Sequence, residues 1–210
     1  TPRDSAFFKS KYNVDIKILH EVLSISPKEK CLQIKNLLSG EIFSDSYDKL
    51  IIATGASPSI PPIKGIDKEN VFSLRNINDM NKIKAFIDKN SPKSAAIIGT
   101  GFIGLEMCEN LKNLGMEVSL IEKLPHVTPG LDFDMAVYVK DEIEKNGVKV
   151  YLNAAIKEIE ENAAILSDGT KIVADMILIA AGVRPNTSLA KLAGIELGGF
   201  GGIKVDSMMR

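Results

Sequence analysis

Two rhythms of apolar residues divide the chain. From Val14 the period is two: Val14, Ile16 and Ile18 alternate with Asp15, Lys17 and Leu19, and Val22-Leu23 and Ile25 follow until Pro27-Lys28-Glu29-Lys30 interrupts. Cys31-Leu32-Gln33-Ile34-Lys35 resumes, Leu38-Ser39-Gly40-Glu41 turns, and Glu41-Ile42-Phe43 runs back. Alternation broken by turn residues predicts an antiparallel meander. Ahead of it, residues 1–13 are polar apart from Phe7-Phe8 and read as an entry segment ending a helix. After it, Tyr47 to Pro58, with Leu50-Ile51-Ile52-Ala53 as its apolar run, predicts a short buried strand ending in a glycine turn. Pro58, Pro61 and Pro62 then stiffen an extended crossing segment that ends near Gly65.

Beyond Asn76 the period becomes helical. Ile77, Met80, Ile83, Phe86 and Ile87 form one stripe over Asn76 to Asn90, with Asn78 or Asp79 as N-cap. Ala95 to Ile98 predicts a strand, and a helix with buried Leu105, Leu111 and Leu114 follows, ended by Gly115. Val118 to Glu122 predicts a second strand. Asp132 to Asn146 predicts a helix carrying Met135, Val139 and Ile143, capped by Asp132 or Asp134, and Val148 to Leu152 a third strand. Ile156-Lys157-Glu158-Ile159, Ala163 to Leu166 and Lys171 to Ala174 surround the turn Ser167-Asp168-Gly169-Thr170, a hairpin signal. A β-meander thus stands where a crossover helix is usual. Met176 to Ala180 is continuously apolar, as a strand covered on both faces should be. Thr187 to Ala193 predicts a short helix, Gly198 to Gly202 a mobile loop, and Ile203 to Asp206 the start of a strand. The fold class is α/β: a Rossmann-like, three-layer domain with a parallel sheet and a β-meander crossover, joined to an antiparallel segment.

The predicted strand at 95–98 runs into Gly99-Thr100-Gly101-Phe102-Ile103-Gly104, a G-x-G-x-x-G turn that opens a helix, and Glu122 ends the next strand about 20 residues later. Gly99 permits the sharp turn, Gly101 removes a side chain that would hold a pyrophosphate off the backbone, and Gly104 lets helix and strand pack closely. The helix N-terminus faces the phosphates. Glu122 can accept both hydroxyls of the adenosine ribose and repels a 2′-phosphate, which selects NAD(H) over NADP(H). The loop after it, Lys123 to Gly130, lies near the adenosine. Lys123 and His126 are phosphate or adenine contacts there, or simply solvated loop residues. Ligands of open parallel sheets bind beyond the carboxyl ends of the strands, which puts Ala181, Gly182 and Val183 on the nicotinamide side. Arg184 is a phosphate or flavin neighbour, or a capping residue.

Composition narrows the classes of partner. The 210 residues are 45% hydrophobic and 25% charged with a net charge of −1, which suits a globular protein and supplies no basic field for nucleic acid. No apolar run approaches the roughly 20 residues of a membrane span, and Thr1-Pro2-Arg3-Asp4 carries no signal core, so a cytoplasmic protein with no membrane partner is expected. Cys31 and Cys108 have no C-x-x-C or metal-ligand spacing; each reads as a small apolar side chain, and no metal is expected. His20, inside the first meander, reads as a strand residue. The chain starts without methionine, and no second glycine fingerprint precedes its strands; a piece of a longer parent is expected.

Four segments in register resemble the pyridine nucleotide-disulfide oxidoreductase family, in its coenzyme A-disulfide reductase and NADH oxidase branch: Tyr47 to Pro58, Ile98 to Glu106, Ala181 to Asn186, and Gly202 to Asp206. The resemblance implies an NAD domain inserted into an FAD domain: residues 1–57 a partial FAD-binding domain, 58–92 linker and connecting helix, 93–184 the NAD(H)-binding domain, and 185–210 the return segment. It implies that Ala53-Thr54-Gly55 lies close to the flavin nucleotide, that Phe102 shields the flavin until nicotinamide enters, and that Glu106 lies by the nicotinamide carboxamide. Without it, Phe102 is a first-turn helix residue and Glu106 a carboxylate suited to the helix dipole. The family's redox cysteine, first glycine fingerprint and dimerisation domain match nothing in these residues. No catalytic residue is therefore expected in this chain, and alone it should be inactive. The full-length parent is implied to be a homodimer holding FAD and passing hydride from NADH to it, for reduction of a small-molecule electron acceptor: a disulfide, oxygen or a peroxide. An NADH-dependent ferredoxin or rubredoxin reductase would look much the same here. A non-catalytic NAD(H)-sensing module is the rival of another class.

Overall fold

A computed structural model describes residues 3–210; Thr1 and Pro2, the first residues of the expected entry segment, lie outside the described residues. The chain divides into two compact units, one reaching Ala56 and resuming over Pro185–Arg210, the other Ser57–Arg184.

The first unit begins with α1 (Ser5–Tyr12), capped by Asp4, whose carboxylate accepts from Phe7 N–H at 2.9 Å. The meander follows as β1 (His20–Ser26), β2 (Cys31–Asn36) and β3 (Ile42–Ser46), with β2 central and both pairings antiparallel. Two expectations fail here. Val14, Ile16 and Ile18 do not begin a strand: all three are exposed, and Leu19 sits at φ +55°, which a strand cannot run through. Leu50 to Ala53 is no buried strand either. Ile51 is 89% exposed, because among the described residues no strand pairs with the run. The unit's return segment carries α5 (Ser188–Leu192), while Ile203 makes only an isolated bridge to Leu197.

The chain moves into the second unit through the three-residue strand Ala56–Pro58, which pairs with Val183–Pro185 on the way back. Residues 58–92, expected to be linker and helix, supply β4 (Val71–Ser73) and α2 (Ile77–Asn90) to this unit. The N-cap of α2 is Asn76 rather than Asn78 or Asp79. Its side chain accepts from Asp79 N–H at 3.1 Å, while Asp79 accepts from Asn76 N–H at 3.3 Å, a reciprocal capping box.

Then come β5 (Ser94–Ile98), α3 (Phe102–Asn113), β6 (Glu117–Ile121), α4 (Phe133–Lys145), β7 (Lys149–Tyr151), the meander β8 (Ile156–Glu160), β9 (Ala163–Leu166) and β10 (Lys171–Val173), and β11 (Met176–Ile179). Five strands form one parallel sheet in the order β4-β11-β5-β6-β7. Asp132 is the N-cap of α4 but makes no side-chain cap bond.

Alternation within the strands sorts the layers. Ala95, Ile97, Val118, Leu120, Met176 and Leu178 point to one face, against Ile83 of α2 and Cys108 and Leu111 of α3. Ala96, Ile98, Ile121, Ile177 and Ile179 point to the other, against Ile159, Ala164, Leu166 and Ile172 of the meander. A three-layer ββα sandwich results, and the middle strands are apolar at nearly every position, buried Ser119 excepted, because both faces are covered. Each fully buried Ile, Leu or Met is worth about 1.5–3 kcal/mol. Leu114, expected in the α3 stripe, is exposed, and Cys108 takes its place, three residues before Leu111 on the same face.

Candidate functional site

The carboxyl ends of β5, β6 and β11 open on a cleft of about 700 Å³ within the second unit. Its walls are apolar, with Ile63, Ile98, Ile121, Leu131 and Ile156 among them, and its polar groups come from the turn after β5 and the end of β6. That combination of an apolar concavity with a few convergent polar groups is what small-molecule sites have.

The three fingerprint glycines meet different surroundings. Gly99 has φ +103°, and a Cβ there would strike the Ala180 carbonyl. The turn after β5 lies against the end of β11, where Ala180 N–H donates to Ile98 O at 2.7 Å. A Cβ on Gly104 would strike the Gly99 carbonyl oxygen, so the first turn of α3 rests on the turn that starts it. Gly101 meets nothing within 4 Å. It is the N-cap of α3, with φ −69° and no side-chain cap, so the helix presents uncapped N–H groups beside open space.

Glu122 is buried at the end of β6, 7% exposed, and its carboxylate is held from two sides. Oε2 accepts from Thr100 N–H at 3.0 Å and from the Thr100 hydroxyl at 2.7 Å, and Oε1 accepts from Leu124 N–H at 3.0 Å. A carboxylate offers about four acceptor positions, so about one remains, on Oε1. Against the expectation of two ribose hydroxyls on Glu122, this leaves room for one further donor without breaking a bond to the protein.

Of the residues singled out in the sequence, Gly99, Thr100, Gly101, Phe102, Glu122, Lys123, Ala181 and Gly182 line this cleft. Phe102 is 73% exposed at the first turn of α3. Ile103, Glu106 and Val183 line a different groove, between α2 and α3. His126 is not one of the residues that line the cleft; its Nδ1 is 2.9 Å from Val127 O and its ring packs edge-on against Phe133. Ala53, Thr54 and Gly55 belong to the first unit, where Thr54 donates its hydroxyl to Asn186 O at 2.5 Å and Asn186 N–H donates to Gly55 O at 2.9 Å.

Sequence reasoning missed Thr128. It lines the cleft, is 4% exposed, adopts φ +48°, and its hydroxyl has no hydrogen-bond partner among the described residues. Its N–H donates to Thr100 O at 3.1 Å and so braces the fingerprint turn from the opposite side. A β-branched residue in the left-handed region is an outlier that no local pattern announces.

The profile of pyridine nucleotide-disulphide oxidoreductases matches residues 3–210. An NADH oxidase of Methanocaldococcus jannaschii is 40% identical over 214 residues, which take in 100% of this chain and 47% of that relative. A coenzyme A disulfide reductase of Staphylococcus haemolyticus is 32% identical over 199 residues, 95% of this chain and 44% of the relative. Among solved structures, an NAD-dependent persulfide reductase from A. fulgidus superposes with a TM-score of 0.93 at 38% identity, covering 99% of this chain and 39% of that one. The chain therefore spans less than half the length of these relatives.

Proposed function

The chain belongs to the pyridine nucleotide-disulphide oxidoreductase family, and we propose that it is the NAD(H)-binding part of an FAD-dependent oxidoreductase. The observation that carries the NAD(H) reading is the Glu122 carboxylate, fixed beside an unobstructed Gly101 at the mouth of an uncapped helix. The α3 N-terminus would take the pyrophosphate on bare N–H groups and Glu122 one ribose hydroxyl, while the apolar walls exclude water from the adenosine. Ala181 and Gly182, beyond the end of β11, would border the nicotinamide.

When bound, the cofactors supply the chemistry: a hydride from reduced nicotinamide to flavin, then two electrons to a small-molecule acceptor such as a disulfide, oxygen or a peroxide. The protein's part is position and electrostatics. In this reading FAD is held chiefly outside these residues, with the Ala53-Thr54-Gly55 turn beside it. Cys31 is half-buried in a strand and Cys108 is in the core; in this reading, as the family resemblance implies, the two-electron relay to the acceptor is supplied by residues outside this chain. The relatives, named an NADH oxidase, a coenzyme A disulfide reductase and an NAD-dependent persulfide reductase, carry different reaction names while each match covers at least 95% of this chain.

Calorimetric titration of the full-length protein with NADH and NADPH tests this. Tighter binding of NADH, with the preference diminished in Glu122→Gln, is expected. Equal affinity for the two nucleotides would overturn the assignment of Glu122.

A further inference from the structure

We infer that Thr100, the second residue of the glycine fingerprint, is the positioning residue that gives Glu122 its discrimination between NADH and NADPH. This rests on the proposed NAD(H) site and deepens it. Thr100 is fully buried, yet its side chain is not there for apolar packing alone: the hydroxyl and the N–H of the same residue both donate to Glu122 Oε2, at 2.7 and 3.0 Å. Two donors from one residue anchor one oxygen of the carboxylate, so that the donor on the other oxygen sets its rotation. Leu124 N–H, at 3.0 Å on Oε1, completes the clamp.

The clamp is itself held. Thr100 O accepts from Thr128 N–H at 3.1 Å, and a β-branched side chain has few χ1 alternatives, so the hydroxyl cannot easily turn from its acceptor. Gly99 N–H donates to Ile121 O at 2.8 Å, which ties the fingerprint to the strand that ends in Glu122. The carboxylate thus belongs mechanically to the fingerprint turn.

Discrimination follows from that rigidity. With Oε2 saturated, the free acceptor position on Oε1 receives a ribose hydroxyl, and the charge cannot swing aside to admit a 2′-phosphate. Removing the Thr100 hydroxyl takes away the shortest of the three bonds and leaves the carboxylate on two backbone donors, Thr100 N–H and Leu124 N–H, so its position loosens. The ribose bond then weakens and the repulsion of the phosphate relaxes, so the two nucleotides respond in opposite directions. Loss of packing alone would weaken both alike.

The test measures dissociation constants for NADH and NADPH by fluorescence titration of the full-length protein carrying Thr100→Val, Thr100→Ser or Glu122→Gln, with Thr100→Ala in place of Val if that variant does not fold. The expected result is a fall of about tenfold in the NADH-to-NADPH preference for Val or Ala, the scale of one hydrogen bond to a charged group. Thr100→Ser, which keeps the hydroxyl, should restore the preference to within about twofold of wild type. If Val or Ala keeps the wild-type ratio, or Ser loses as much as Val, the inference is overturned. Discrimination that disappears in Glu122→Gln but survives in Thr100→Val removes this inference alone. A wild-type protein with no preference removes the reading of Glu122 as well.

Discussion

Alanine at Gly101 and alanine at Gly99 add the same methyl group two residues apart and should fail in opposite ways. Gly101 has φ −69° and ψ 178°, values any residue adopts, and nothing lies within 4 Å of the Cβ it would gain. The entropy lost by the unfolded chain favours alanine by about 0.4–1 kcal/mol, and the weaker N-cap opposes it by a similar amount. Folding stability should stay within about 1 kcal/mol of wild type. The methyl nevertheless projects where the pyrophosphate would approach the α3 N-terminus. Displacing it from one charge-assisted hydrogen bond costs about 1.5–3 kcal/mol, or about 10- to 100-fold in NADH affinity. Gly99 reverses the pattern. Its φ of +103° costs alanine about 1–3 kcal/mol in backbone strain. The Cβ would also lie 2.7 Å from the Ala180 carbonyl carbon and 3.1 Å from Ala181 N. The ends of β5 and β11 must part, straining the Ala180 N–H to Ile98 O bond, for a total destabilisation of about 2–4 kcal/mol. Differential scanning calorimetry and nucleotide titration on both variants separate the effects. A Gly101→Ala protein that binds NADH as tightly as wild type, or a Gly99→Ala protein that melts at the wild-type temperature, would refute the reasoning.

Asp175→Ala should cost about 1–3 kcal/mol in chemical denaturation, because Asp175 Oδ2 accepts from Lys93 N–H, Ser94 N–H and the Ser94 hydroxyl and ties the start of β11 to that of β5. Burial pushes its carboxyl up, but those hydrogen bonds outweigh it and hold the group below its ordinary 3.8. That contribution is present above pH 3.8 and lost as the pH falls through the lower folded value; a variant whose acid unfolding coincides with wild type would contradict it. Burial pushes the Cys108 thiol up to about 11, so maleimide at pH 8 should label Cys31 and spare Cys108, whose thiolate fraction there is about one in a thousand. The stabilisation from keeping Cys108 neutral is full below its unfolded value of 9.0 and lost as the pH rises through about 11, so Cys108→Ser should flatten the alkaline limb of the stability profile. Hydrogen exchange should find the amides of Leu50 to Ala53 fast in residues 1–210 and protected in the full-length protein; equal rates in the two would show that this apolar run has no strand to join.

What the sequence disclosed was local in origin. Ala95 to Ile98 and Met176 to Ile179 were legible because a strand covered on both faces must be apolar at every position, and the Asp168-Gly169 turn because Asp168 accepts from Thr170 N–H two residues on. What stayed hidden depended on partners. Val14, Ile16 and Ile18 alternate as a strand would, but periodicity states which face a strand would bury and not whether a neighbour exists to pair with it. Val71–Ser73, too short to show a period, is a strand only because Val71 to Ser73 align in parallel with Ile177 to Ile179. The same division runs through the candidate site. The spacing from Gly99 to Glu122 marked a carboxylate for a ribose, yet its geometry depends on the side chain at Thr100, a position that G-x-G-x-x-G leaves open to any residue. Two chains with identical glycines and the same acid can therefore differ in how firmly that acid is held. If the hydroxyl at Thr100 governs the Glu122 carboxylate, nucleotide preference in such a turn is set by the unspecified letter as much as by the acid.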